Sequence, residues 1–313
     1  MRVAVIGAGN VGKMVFHDLQ NVNMVEEIIL IGRNIQQVKA EVVDAKDAAV
    51  LKDRCGPKLS YGGYEAAAGA DIIVYTAGSS VVKADRMEML HDNCVITEQI
   101  FSEIKKVNRD AIIICVTNPN DVITMKIHQV MEQDPRRVIG SGTLLETARL
   151  VRYVSELLEL SDRSVHMSVV GEHGASAVAL FSSVRIMGLS LDEYLRSVTD
   201  ESIHLNAVSL NEIIKKIGFQ IHAGKGFTST GVSGTVCRIV SAIGMDQREI
   251  LPVSSVLQGE YGIKDVAVSV PSIIGRNGIE EIREVRMTKE EREEFLASAA
   301  KIRQVAEAEG ILR

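Results

Sequence analysis

Val3-Ala4-Val5-Ile6 runs directly into Gly7-Ala8-Gly9-Asn10-Val11-Gly12, and the residues that follow turn to helical spacing. No other feature narrows the fold as much. The first glycine permits a tight turn, the second lets the backbone approach a pyrophosphate, and the third lets a helix pack closely on a strand. Amides at the helix N-terminus would then face the anion. Alone, the pattern is a glycine-rich turn. Between a strand and a helix, with a second strand beyond, it predicts a dinucleotide site.

That context is present. Ile28–Ile31, Ile72–Thr76 and Ile112–Val116 are further β-branched runs, and segments 11–20, 34–51 and 87–107 have helical length. Short runs that are apolar throughout belong to parallel strands buried on both faces. Their alternation with helices predicts an α/β fold with a doubly wound parallel sheet. Val138-Ile139 closes this half. The texture then changes, with a helix from Leu144 and a strand Val165–Val170 leading into His173. Helices over 202–217 and 229–243 follow, then strands 249–258 and 265–273 around the turn Gln258–Gly262. In the last helix Phe295, Ala299, Ile302 and Val305 recur on one face. The expected division is 1–142, a dinucleotide-binding half, and 143–313, an α+β half. No Pro/Ser-rich linker separates them, so they should pack together.

Composition removes several function classes. The net charge is −6 and no basic run occurs, so nucleic acid and anionic membrane are poor partners. Cys55, Cys94, Cys115 and Cys237 are widely spaced without a CxxC pair. That spacing reads as reduced thiols in a cytoplasmic protein, with no disulfide frame and no metal site. No apolar run approaches the ~18 residues that span a membrane. The N-terminal apolar run reads as a strand and not as a signal peptide.

Four short clusters carry chemistry: Arg86 in a long polar loop, Asn118-Pro119 after an apolar run, Glu146-Thr147-Ala148-Arg149, and Gly171-Glu172-His173-Gly174. A histidine held by a carboxylate can shuttle a proton. An arginine can grip a carboxylate through two parallel hydrogen bonds. Taken singly, each has a plainer reading. His173 alone is a structural histidine, Glu146 a helix-terminal acid favoured by the dipole, and Arg149 a surface ion pair. Loop 79–90 resembles any exposed loop as well as a lid.

Taken together, with Thr76-Ala77-Gly78 and Leu145 included, the clusters resemble the L-lactate/L-malate dehydrogenase family almost end to end. Gly142-Thr143-Leu144-Leu145, Gly224–Thr228 and Ile274–Gly278 look closest to its lactate and 2-hydroxyisocaproate branches. The resemblance implies hydride transfer between a nicotinamide cofactor and a small L-2-hydroxy acid. It places His173 as proton donor and acceptor, and Glu146 as the carboxylate that orients it, where the family has aspartate. Arg149 would bind the substrate carboxylate, Arg86 would polarise the carbonyl as its loop closes, and Asn118 would hydrogen-bond the substrate. Thr228 matches a threonine of the lactate branch. Asn10, Val11, Thr76, Ala77, Gly78, Asn93, Val116 and Asn118 would line the cofactor beside Gly7, Gly9 and Gly12. Subunits of this family form dimers or tetramers.

The second strand departs from the usual pattern for NAD. A carboxylate for the ribose hydroxyls is expected about 20 residues beyond the fingerprint, where this chain has Gly32 and Arg33. A glycine removes the charge that would repel a 2′-phosphate, and an arginine could bind one. NADP is therefore favoured over NAD; the alternative is that Arg33 is a solvated loop residue. The residue that reads the substrate side chain falls on Ser80 or Val81. Neither is an arginine, which favours pyruvate or a larger uncharged 2-oxo acid, whereas Lys83 keeps malate open. A non-catalytic nucleotide-binding protein is the alternative of another class. His166 stands where bacterial members place a histidine for a sugar-bisphosphate effector. Its partner position is Val151, with Arg152 one residue off, so a buried strand histidine is the simpler expectation.

Overall fold

A computed structural model describes residues 1–52, 56–79, 86–197, 205 and 207–312; the side chains of 86–88 and 207–208 are not described. The first half contains β1 (Arg2–Ile6), α1 (Asn10–Asp18), β2 (Glu27–Ile31), α2 (Ile35–Val50), β3 (Lys58–Gly62) and β4 (Ile72–Tyr75). It continues through α3 (Arg86–Val107), β5 (Ile112–Cys115), α4 (Asn120–Met131) and β6 (Val138–Gly140). These strands are parallel in the order β3-β2-β1-β4-β5-β6. The order reverses between β1 and β4, which opens a crevice at the strand C-termini, where sheets of this type hold ligands.

Alternate residues explain the two covered faces. Val3, Val5, Ile28, Leu30, Ile72 and Val74 enter one core with Val15 and Phe16 of α1. Ala4, Ile6, Ile29, Ile31, Ile73 and Tyr75 enter the other with Phe101 and Ile104 of α3. Edge strand β3 escapes sequence reading because only Leu59 among its residues is buried. Helix α4, also not anticipated, is buried over most of its length, so it shows no clean polar face.

The second half begins with α5 (Leu144–Leu157), β7 (Val165–His166), β8 (Val169–Gly171), β9 (Ala177–Ala179), β10 (Arg185–Ile186) and β11 (Leu189–Ser190). It ends with α6 (Leu191–Ser197), α7 (Ala207–Lys225), α8 (Thr230–Gly244), β12 (Glu249–Gln258), β13 (Lys264–Gly275), β14 (Gly278–Ile282) and α9 (Lys289–Ala308). Strands β12, β13, β8 and β9 extend the parallel sheet from β6 through antiparallel pairs, beginning where Ser254 faces Gly140. One sheet therefore crosses from half to half.

Three expectations need correction. Val165–Val170 is two strands: β7 joins a small sheet with β10 and β11, and β8 joins the large one. Val169 is drawn into the large sheet's neighbourhood by α5, since Thr143 Oγ1 donates to its carbonyl and its N–H donates to Thr147 Oγ1. His166 is exposed, not buried: along β7, Val165 and Met167 point inward and His166 between them points out. The loop 79–90 gives up its last residues to α3, which starts at Arg86, one residue before the helical segment 87–107 read from the sequence, because Leu90, Cys94, Thr97 and Phe101 are buried at helical spacing.

Candidate active site

The glycine loop follows β1, and each glycine has a separate cause. Gly7 has φ +113°, and a side chain there would meet Thr76 Oγ1 at 2.7 Å. A Cβ on Gly12 would run into the Gly7 carbonyl. Both are demanded by the protein's own packing. Gly9 is different, because a Cβ there would meet nothing within 4 Å. It is also the N-cap of α1 and offers no side-chain cap, which leaves amides free to receive an anion. Open space and uncapped amides fit a pyrophosphate. Thr76 Oγ1 ties β4 to the loop through the carbonyls of Ile6 and Gly7, at 3.1 and 3.2 Å.

The same edge carries the other predicted cofactor residues. Thr117 Oγ1 donates to Ala77 O at 2.7 Å. Asn93, reaching up from α3, accepts from Ser79 N at 2.7 Å and donates to Asn118 O at 2.8 Å. Gly78 packs against both, and Val116 is half-buried beside them. Asn118 is exposed at the strand end, just before α4. Gly32 and Arg33 sit at the end of β2, where a Cβ on Gly32 would press on Val38 Cγ2 at 2.7 Å. Arg33 is exposed and makes no ion pair among the described residues. Its charge lies near Tyr64. Ser80, Val81 and Lys83 lie outside the described residues, as does the side chain of Arg86, which is placed only as the first residue of α3.

Glu146, in the first turn of α5, is buried and shared between two cations. Its Oε2 lies 3.3 Å from His173 Nδ1, and its Oε1 lies 3.7 Å from Arg149 Nη1. Both are within ion-pair range, yet neither is aligned as a hydrogen bond. Among the described residues, the buried atoms Glu146 Oε2, His173 Nδ1 and Arg149 Nε have no aligned partner. The half-buried Arg149 is thus a donor fork with an open position among the described residues, the kind of group that grips a carboxylate.

Electrostatics follow from this arrangement. Burial alone would lower the pKa of His173, but the carboxylates of Glu146 and Asp121 and the Gly142 carbonyl overcome it and hold it up to about 9. Burial would raise Glu146, but His173 and Arg149 keep it below the ordinary carboxylate value. The imidazolium–carboxylate pair is therefore the resting state near neutrality.

Arg149 and Thr228 line one cavity of about 350 Å³ with Leu145, Ala148, Ile217 and Ile221. The other cations on its wall are engaged: Arg152 pairs with Glu156 at 2.8 Å, and Lys225 donates to Ser229 Oγ at 3.0 Å. Sequence reading passed over Asp121. This residue of the first turn of α4 accepts the backbone N–H of His173 at 2.8 Å and the hydroxyl of Ser254 at 2.6 Å. Its signal was an acid just beyond Asn-Pro at the C-terminal end of a parallel strand.

Comparison with known proteins agrees with this geometry. Residues 1–140 match the model of the lactate/malate dehydrogenase NAD binding domain, and residues 143–309 match that of the family's alpha/beta C-terminal domain. The chain belongs to the lactate/malate dehydrogenase family. Among its relatives, L-lactate dehydrogenase 2 of Clostridium acetobutylicum is 35% identical over 307 residues, covering 97% of this chain and 96% of that one. L-lactate dehydrogenase of Acetivibrio thermocellus is 36% identical, covering 93% and 91%. The crystal structure of a minor L-lactate dehydrogenase from Enterococcus mundtii superposes with a TM-score of 0.92 at 30% identity, covering 98% of both chains. This member of the family is an oxidoreductase of the lactate dehydrogenase type, with an NAD-binding Rossmann domain followed by an α/β domain. Among the described residues no group of acids, histidines and cysteines could hold a metal, and no helix is long and apolar enough to cross a membrane.

Proposed function

We propose that this chain interconverts a small uncharged 2-oxo acid, pyruvate or a larger homologue, with its L-2-hydroxy acid. The observation that carries the proposal is Glu146 held between His173 and Arg149 at 3.3 and 3.7 Å. Arg149 grips the substrate carboxylate. Because Nδ1 of His173 faces Glu146, Nε2 remains to give a proton to the keto oxygen and to take it back in the reverse direction. The reduced nicotinamide, when bound, supplies hydride to C2. Asn118 at the strand end and Arg86 at the start of α3 hold the carbonyl side, and Thr228 lines the substrate pocket. Ser80 or Val81 reads the substrate side chain. In functional terms 1–142 carries the dinucleotide and 143–313 the proton shuttle and carboxylate grip.

An uncharged side chain is favoured by the largely apolar cavity beside Arg149, where Arg152 and Lys225 already have partners. NAD binding belongs to the family; preference for NADP is our proposal. It is supported by the lack of a carboxylate at Gly32 and by the exposed Arg33, which makes no ion pair among the described residues. Work in the cytoplasm as a dimer or tetramer completes the proposal, with light scattering as the check on subunit number. Initial rates on a panel of 2-oxo acids with NADH and NADPH test the substrate and cofactor together. Oxaloacetate as the best substrate would replace this reading with malate dehydrogenase. Tight dinucleotide binding without turnover of any 2-oxo acid would replace it with a non-catalytic role.

A further inference from the structure

Asp121 is 2% exposed, and its two oxygens are used separately. Oδ2 accepts the His173 backbone N–H at 2.8 Å, and Oδ1 accepts the Ser254 hydroxyl at 2.6 Å. These contacts join α4, the turn after β8 and the centre of β12. Both donors are neutral. A buried carboxylate held only by neutral donors is costly unless a cation lies nearby. The cation facing Asp121 is the His173 imidazolium, and the other charge near it is the carboxylate of Glu172.

We infer that Asp121 is a positioning residue for the proton shuttle, holding the His173 backbone while its charge faces the imidazole. The inference rests on the reading of His173 as that shuttle. Glu146 meets the ring at 3.3 Å from the α5 side. The backbone clamp supplies the fixed point from which the ring extends. One short hydrogen bond to N–H fixes the start of the side chain; the carboxylate of Glu146 sets only its rotation.

The charged groups around the imidazole come from several elements. Glu146, itself paired with Arg149, faces it from α5 and Asp121 from α4. Glu172, in its own turn, is tied to Ser176 and to Lys301 of α9. The Gly142 carbonyl faces it from the turn before α5. Asp121 itself faces His173, Glu172, Ser254 and the Cys115 thiol. Burial pushes the Asp121 carboxyl up to about 6, against the hydrogen bonds from Ser254 and His173. It is half charged at that pH and essentially fully charged near 9, where His173 gives up its proton.

The test is the ring titration of His173 by NMR in the dinucleotide-free protein, with the signal assigned through His173→Asn, for the native chain and for Asp121→Asn. Asn is nearly isosteric, and the Ser254 hydroxyl can reverse to accept from it. The expected result is a downward move of the His173 titration by roughly 1 unit. The alkaline limb of kcat/KM for 2-oxo acid reduction should move with it, and the KM for dinucleotide should stay within two-fold. Ser254→Ala is the second variant. It removes a donor, leaves Asp121 less ionised, and should move the titration in the same direction by less. A titration unchanged in both variants overturns the inference and leaves Asp121 as a helix-terminal acid. If the native chain reduces no 2-oxo acid while the ring titration still moves, the dehydrogenase reading fails and the positioning of His173 by Asp121 stands.

Discussion

Glu146 meets His173 from the first turn of α5, with Oε2 3.3 Å from Nδ1 and the second oxygen turned toward Arg149. An aspartate in this place has one methylene less with which to span both cations. The glutamate ties the proposed proton shuttle and the proposed carboxylate grip to one buried charge.

The pH dependence follows from that charge. His173 is held up to about 9, so reduction, which needs the protonated ring, should persist below about 9 and fall above it. Oxidation, which needs the neutral ring, should rise through the same range. In Glu146→Gln burial acts against only Asp121 and the Gly142 carbonyl, and the limb should move to lower pH by roughly 1–3 units. Stability carries the same sign. A folded pKa above the ordinary 6.5 contributes stability that is complete below about 6.5 and lost as pH rises through about 9. Thermal unfolding across that window should show a decline in the native chain that Glu146→Gln flattens. Native-like pH profiles in Glu146→Gln would make Glu146 a helix-terminal charge only.

The glycines of the loop make separable predictions. Gly12→Ala puts a methyl onto the Gly7 carbonyl and should destabilise the fold by about 1–3 kcal/mol. Gly9→Ala meets nothing in the protein, so its unfolding midpoint should be native-like while dinucleotide affinity falls. Equal unfolding losses in the two variants would show that Gly9 serves packing, not the cofactor.

Much of this was legible in the sequence because its causes are local. The glycine loop, the strands buried on both faces and the order of the polar clusters are written in contiguous residues. What was missed depends on distant partners. Asp121 acquires its role only when His173 and Ser254 arrive from far along the chain. The sheet's continuation from β6 into β12 hangs on Gly140 facing Ser254. A run such as Val165–Val170 reads as one strand until α5 captures Val169.

The adenosine end gives a cofactor prediction. Arg33→Ala should raise KM for NADPH by roughly 10–150-fold, the equivalent of a charged hydrogen bond of ~1.5–3 kcal/mol. It should leave NADH nearly unchanged, and the NADPH preference should weaken with salt. A carboxylate at position 32 should shift selectivity toward NADH, but Gly32→Asp alone would press on Val38. The variant to measure is therefore Gly32→Asp with Val38→Ala. A native preference for NADH of tenfold or more would make Arg33 a solvated side chain.

His173 is proposed to carry the proton between enzyme and substrate. Steady-state turnover of pyruvate should therefore be compared in native protein and His173→Asn, with dinucleotide affinity measured alongside. The expected result is a loss of ~10²–10⁴-fold in kcat with affinity intact. Turnover in His173→Asn within a few-fold of native would contradict it.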